Sequence, residues 1–352
     1  MSRRALSLIA IFLVGHTAQQ SVVTVIPRYS GPLTAEDGRY LRGMNYDPAD
    51  APLVWKLNGD LLVAHSERYS RYDVVSETCA GSGFFVVPAS GGQARAIAVG
   101  APACRAALTN DGVAADPSGT SVVYSTWVPP NNSRLIRVEL STGRIDTLST
   151  GCKIYQEHPT ISANGALIAS HGMCRDRNED HYRIYVTAAD GAGLRTVVAN
   201  DSASWESPSW SPDARQLAFE RSRGIGKDLV EEIAVIALDG HGMHVLTRGI
   251  FPAWSPDGRL IAFVQRSGGD AQTLRIIRPD GTGERLLFRS TERTTYSRGW
   301  GPMQEGRPWG PLVWSADSRW LAFTRSFDRG TSIWRIEVAS GRLVQVTAPA
   351  AR

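Results

Sequence analysis

Between positions 157 and 181 the chain carries Glu157, His158, His171, Asp176, Glu179, Asp180 and His181, its densest gathering of titratable side chains. Imidazoles change charge near neutral pH and ligate divalent metals; carboxylates beside them supply oxygen donors or an acid–base partner. The plainer alternative is a solvated loop whose charges never converge, and no catalytic residue, metal or other cofactor is assigned here. Glu157 and Glu206 share a context, each two residues before a proline (Pro159, Pro208). They are expected to line the mouth of whatever opening those segments surround. Gly-x-Ser-x-Gly, His-Glu-x-x-His and phosphate-loop patterns are absent from the sequence.

A second candidate runs from 291 to 311, where Tyr296, Arg298, Trp300, Arg307 and Trp309 stand among Gly301, Gly306 and Pro308. Trp, Tyr and Arg are the side chains that most often anchor a partner or stack on a sugar. The same rings could instead form a small local core inside a long loop. Four cysteines, Cys79, Cys104, Cys152 and Cys174, contain no Cys-x-x-Cys and so give little support to zinc or redox motifs.

These residues are held by a pattern that recurs six times. Its clearest copies are Trp254-Ser255-Pro256-Asp257-Gly258 before Leu260-Ile261-Ala262-Phe263, and Trp210-Ser211-Pro212-Asp213 before Leu217-Ala218-Phe219. A third is Trp314-Ser315-Ala316-Asp317 before Trp320-Leu321-Ala322-Phe323. Weaker copies centre on Asn58-Gly59, Ser118-Gly119 and Asn164-Gly165, giving a mean repeat of about 52 residues. Each copy reads as a β-hairpin: Pro sets φ, Asp or Asn caps its own turn, and Gly takes the positive-φ position. Its flanks are rich in β-branched and aromatic residues. A second hairpin follows, as where Ile233-Ala234-Val235-Ile236 turns through Asp239-Gly240-His241-Gly242. No helical pattern follows these Asp-Gly-x-Gly turns, so they are hairpin turns and not nucleotide-binding glycines. Two hairpins per repeat make a four-stranded blade; six blades predict an all-β, six-bladed β-propeller with four antiparallel strands per blade.

The Trp-Ser-Pro-Asp-Gly-x-x-Ile-Ala-Phe signature resembles the WD-like Pro-Asp repeat of TolB-type propellers over roughly residues 50 to 347. TolB itself carries a mixed α/β domain ahead of its propeller. Only about thirty residues separate the apolar leader from the first blade here, fewer than such a domain needs, so the resemblance is to the propeller without that domain. It implies a non-catalytic binding module of the bacterial cell envelope, with an envelope protein or a glycan as ligand. An alternative comes from oligogalacturonate lyases, which also use a Pro-Asp-type propeller with a histidine-bound metal. By that route the chain would be a carbohydrate-active lyase or hydrolase with a His/carboxylate site.

Topology then sorts the loops. The Ser-Pro-Asp-Gly and Asp-Gly-x-Gly turns share one face, while the longer second-to-third-strand loops and the crossovers between blades share the other. Long loops on a rigid scaffold are where binding usually resides, so Glu157, His158, His171, His181, Glu206, Tyr296, Arg298, Trp300, Arg307 and Trp309 are expected on one ligand-binding face. The cysteines map there too, and blade geography favours two local disulfides, Cys79–Cys104 and Cys152–Cys174.

Arg3 and Arg4 followed by an apolar run to Gly15 read as an export signal over residues 1–18, too short to span a bilayer as a helix. Residues 19–50 would be an N-terminal extension, 51–348 the propeller and 349–352 a tail. The segment from Ser21 to Ile26 reads as a strand that could help close the ring. Net charge is +4, with basic residues scattered among acids, which argues against a nucleic-acid partner. The mature chain is expected to be a periplasmic or secreted monomer, not inserted in a membrane.

Overall fold

A computed structural model describes residues 49–56, 59–66, 83–88, 94–99, 112–128, 132–152, 155–174, 181–197, 203–224, 228–267, 271–290, 294–297, 301–304, 307–327 and 330–347. Blade one comprises β1 (Ala49–Trp55), β2 (Asp60–Ser66), β3 (Gly83–Pro88) and β4 (Arg95–Val99). Blade two holds β5 (Val113–Ala115), β6 (Ser121–Val128), β7 (Asn132–Glu139) and β8 (Ile145–Thr147). Blade three holds β9 (Tyr155–Ile161), β10 (Leu167–Met173), β11 (Arg183–Ala188) and β12 (Arg195–Thr196). Blade four holds β13 (Ser204–Trp210), β14 (Gln216–Arg223), β15 (Val230–Ala237) and β16 (His244–Arg248). Blade five holds β17 (Ile250–Trp254), β18 (Ile261–Ser267), β19 (Ala271–Ile277) and β20 (Arg285–Arg289). A two-stranded insert, β21 (Thr294–Ser297) with β22 (Gly301–Gln304), precedes blade six. Blade six holds β23 (Arg307–Trp314), β24 (Trp320–Phe327), β25 (Gly330–Glu337) and β26 (Leu343–Gln345). Every blade is a four-stranded antiparallel meander, and the described residues contain no α-helix. The six-bladed propeller expected from the repeat is the fold observed.

The second strand of each blade explains the apolar half of the repeat. Leu61 to Ala64, Leu217 to Phe219, Ile261 to Val264 and Leu321 to Phe323 are buried on both sides. A strand covered on two faces needs a continuous apolar run and not an alternating one. Outer strands face water, and Ile145, Val245 and Leu286 there are more than 40% exposed.

Six apolar clusters lie between successive blades and together close the ring. The closing contact sets Trp55, Leu61 and Phe85 of blade one against Ala322, Ile333 and Val346 of blade six. Side-chain packing therefore joins the first and last blades. The Ser21 to Ile26 segment and the leader lie outside the described residues.

The turns work as read. Ser255 Oγ donates to Asp257 Oδ1 at 2.6 Å, and the amides of Arg259 and Leu260 donate back to Asp257 Oδ1 and Ser255 Oγ. Ser211 with Asp213 and Ser315 with Asp317 repeat the arrangement. Gly258 holds φ +74°, whereas Ala214 and Ser318 occupy the same place with φ +56° and +58°. No helix among the described residues is long and apolar enough to cross a membrane.

Candidate functional site

The innermost strands of blades three, four and five share an irregularity that places the site. Opposite β10, β9 takes three residues to cover two, pairing Thr160 with Ala169 and then Glu157 with His171. The shift recurs between Ser209–Ala218 and Glu206–Glu220, and between Ala253–Ala262 and Ile250–Val264. Each extra residue includes an X-Pro step: His158-Pro159, Ser207-Pro208 and Phe251-Pro252. Proline lacks an N–H, and the exposed edge of an innermost strand is where that costs no ladder bond. The residue before it takes positive φ: +47° at His158, +49° at Ser207 and +53° at Phe251. For residues other than glycine this conformation costs of order 1–3 kcal/mol, and it re-aims the side chain at the bulge.

The three stations are structurally equivalent but chemically different. Blade three presents Glu157, His158 and His171; blade four presents Glu206, Ser207 and Glu220; blade five presents Ile250, Phe251 and Val264. All lie near the start of a first strand and the end of a second, hence on the side of the crossovers and long loops. Blades three and four are therefore polar at this station and blade five is apolar.

In blade three the donor atoms of Glu157, His158 and His171 all lie within 4.8 Å of one another. The His158 and His171 rings stack with centroids 4.6 Å apart, and Tyr182 tilts against His171 at 5.2 Å. His171 is 3% exposed. Its pKa lies well below the ordinary imidazole value, first because burial disfavours the cation and second because His158 is close. The neutral ring accepts a long hydrogen bond at Nδ1 from the Ser207 amide, 3.4 Å.

Blade four repeats that strap one blade on, since Glu220 accepts from the Phe251 backbone amide. Burial, then Glu206 and Glu231, pushes the Glu220 carboxyl up to about 8, against the Phe251 bond and Arg266. Glu206 is also raised, by burial and then by Glu231, which pairs with Arg266 at 3.3 Å. Near neutrality Glu220 is thus a protonated carboxyl that can donate as well as accept.

Behind the blade-three station Thr150 Oγ1 donates to Gln156 Oε1 and Gln156 Nε2 donates to Ser170 Oγ, both at 2.7 Å. The disulfide Cys152–Cys174, Cα–Cα 4.4 Å, ties the segment entering β9 to the residue leaving β10. Cys174 N also donates to Tyr185 Oη at 3.1 Å. Both strands that carry the histidine pair are thereby fixed at their ends. A disulfide fits an oxidising, extracytoplasmic compartment.

Glu157, His158 and His171 thus converge, which corrects, for these three, the picture of a loop whose charges stay apart. His181 is half-buried but outside that trio, and Asp176, Glu179 and Asp180 lie outside the described residues. Glu206 stands with Glu220, and the two Pro-linked glutamates occupy equivalent stations. Arg298, Trp300, Cys79 and Cys104 lie outside the described residues. Among its described residues, the 291–311 crossover expected to carry the aromatic and Arg side chains is not a plain loop: Tyr296 is in β21, and Arg307 and Trp309 begin blade six, with Trp309 opposite Thr324.

Sequence reasoning missed Ser207, Glu220 and Tyr182. Aligning the repeats would have found Glu220, which ends the apolar run Leu217-Ala218-Phe219 where blade five has Val264. On the turn face, a concavity is lined by Asp213, Arg215, Gln216 and Asp239. Its carboxylates serve their own turns, with Asp213 accepting from Ser211 and Arg215 and Asp239 from His241. It offers no convergent chemistry.

The chain superposes on a putative TolB from Agrobacterium tumefaciens with TM-score 0.51 and 18% identity, covering 67% of this chain and 79% of that one. The fold is that of the TolB propellers. TolB from Acinetobacter baumannii gives TM-score 0.56 at 13% identity, covering 77% of this chain and 61% of that one. An oligogalacturonate lyase in complex with manganese gives TM-score 0.51 at 13% identity, covering 84% and 76%. At such identities the likeness concerns the TolB-type fold alone. No protein-family model and no curated protein matches the sequence.

Proposed function

We propose that this chain is a non-catalytic recognition propeller of the bacterial cell envelope, periplasmic or secreted, binding a protein or glycan at its long-loop face. The observation that carries this is the paired polar station, Glu157/His158/His171 beside Glu206/Glu220, at the bulges of two adjacent innermost strands. Backbone strain is maintained there in consecutive blades, and strained residues gather where a ligand is met. Tyr296 lies in the two-stranded insert before blade six, Arg307 and Trp309 begin the innermost strand of that blade, and Arg298 and Trp300 fall in the same stretch of sequence. In this reading the segment supplies the Trp, Tyr and Arg residue types suited to anchoring a partner. Trp300→Ala is expected to weaken ligand binding by about 2 kcal/mol, the size of an interface hot spot. Photo-crosslinking in intact cells tests the face: a reactive residue replacing Met173 should give a discrete adduct, and one replacing Asp257 on the turn face should not. Adducts from Asp257 alone would overturn the reading.

A second reading, a carbohydrate-active enzyme, is favoured by the convergence of two histidines and a carboxylate. It rests on the manganese-bound lyase only as a fold analogue. Release of unsaturated sugar from oligogalacturonate, lost in His171→Ala, would replace the binding reading with this one.

A further inference from the structure

We propose that Glu157, His158 and His171 form a divalent transition-metal site on the inner edge of blade three. This goes beyond the binding reading and does not depend on it. Donors held at about 2.0–2.2 Å on one tetrahedral cation lie about 3.4 Å from one another. The three donor groups here already lie within 4.8 Å of one another. Side-chain rotations that move the donor atoms by about an ångström bring them to that spacing.

Neighbouring residues on a strand normally point to opposite faces, so Glu157 and His158 would not share a ligand. The bulge, with His158 at φ +47°, turns the second residue so that its ring lies 4.6 Å from that of His171. Every blade from three to five has this bulge, but only blade three puts an imidazole on it and another at the facing position. Two imidazoles and one carboxylate suit zinc, cobalt, nickel or manganese in preference to calcium or magnesium, which favour all-oxygen shells. Three protein donors leave coordination positions for water or for a ligand group. Metal on His171 Nε2 requires the ring proton on Nδ1; metal on Nδ1 displaces the Ser207 amide directly. Either choice gives up one long 3.4 Å contact, a weak bond to lose. The Cys152–Cys174 link holds the strands in place beforehand.

The test uses untagged full-length protein purified from the compartment in which it accumulates, stripped with chelator and titrated with Zn²⁺ and Co²⁺ by calorimetry. One equivalent per chain is expected, with Co²⁺ giving visible d–d absorption of nitrogen ligation. His158→Gln and Glu157→Gln should each weaken binding at least about tenfold. His241→Gln, on an exposed turn, should change nothing. Circular dichroism confirms that each variant is folded, and Glu157→Gln decides the matter should His158→Gln not fold. Absence of stoichiometric binding, or equal affinity in both ligand variants and the wild type, would overturn the site while leaving ligand capture at this face intact.

Discussion

The indole Nε1–H of Trp314 donates to the carbonyl of Ala253 at 2.9 Å, from the innermost strand of blade six to that of blade five. Trp210 does the same from blade four to Thr160 of blade three, at 3.2 Å. At these two positions the repeat tryptophan is therefore a fastener between blades as well as a core side chain. Trp254 and Trp55 differ, donating at 3.3 Å and 3.1 Å to Gly258 and Gly59 in their own turns. Replacing Trp314 by Phe keeps much of the apolar bulk and leaves a buried carbonyl without its donor. Denaturant unfolding should show a loss of about 1–3 kcal/mol. A change within error would mean that the bond adds nothing beyond packing.

Disulfide Cys152–Cys174 closes a loop with a sequence separation of 22. By the chain-entropy argument, Cys152→Ala with Cys174→Ala should lower stability by about 3 kcal/mol. Peptide mapping without reductant should recover this pair. Free thiols at both positions in exported protein would refute the link and remove the support it gives to an extracytoplasmic location.

Much of the fold was legible because the turn and the apolar strand are local signals that repeat. Ser255, Asp257 and Gly258 announce a hairpin whatever surrounds them. The site was only half legible. Glu157, Glu206 and the histidines stand out by type, but their convergence depends on bulges that move one residue per blade out of register, and no residue type marks a bulge by itself. Prolines 159, 208 and 252 were the available sign. Trp309 was assigned to a loop because Gly306 and Pro308 read as loop residues; an innermost propeller strand is an edge and tolerates Pro308.

At the turn of blade four, Ala214 holds φ +56° where Gly59, Gly119, Gly165 and Gly258 stand in other blades. A left-handed conformation costs a residue with a Cβ about 1–2 kcal/mol, and glycine gives back about 0.5–1 kcal/mol in chain entropy. Ala214→Gly should therefore stabilise by roughly 0.5 kcal/mol, seen as a higher melting temperature. A lower one would show that the methyl's packing against the apolar cluster between blades three and four outweighs the strain.

Glu220 makes stability depend on pH in a direction opposite to that of an ordinary paired carboxylate. Its folded pKa is pushed up to about 8 from 4.5, by burial first and then by Glu206 and Glu231. Between these values the native state holds a proton that the unfolded chain has released. Stability must then fall as pH rises, since the slope follows protons bound unfolded minus folded. Below about pH 4.5 the group contributes no penalty, and above about pH 8 the full penalty of a buried carboxylate is present. Each pH unit inside the window is worth at most about 1.4 kcal/mol, so the total is of the order of a few kcal/mol. Glu220→Gln keeps the shape and stays neutral, so its melting temperature should exceed that of the wild type at pH 8. The difference should shrink towards pH 5. Parallel pH profiles for the two proteins would show that Glu220 is ionised in the native state across the range, with water or Arg266 meeting its charge.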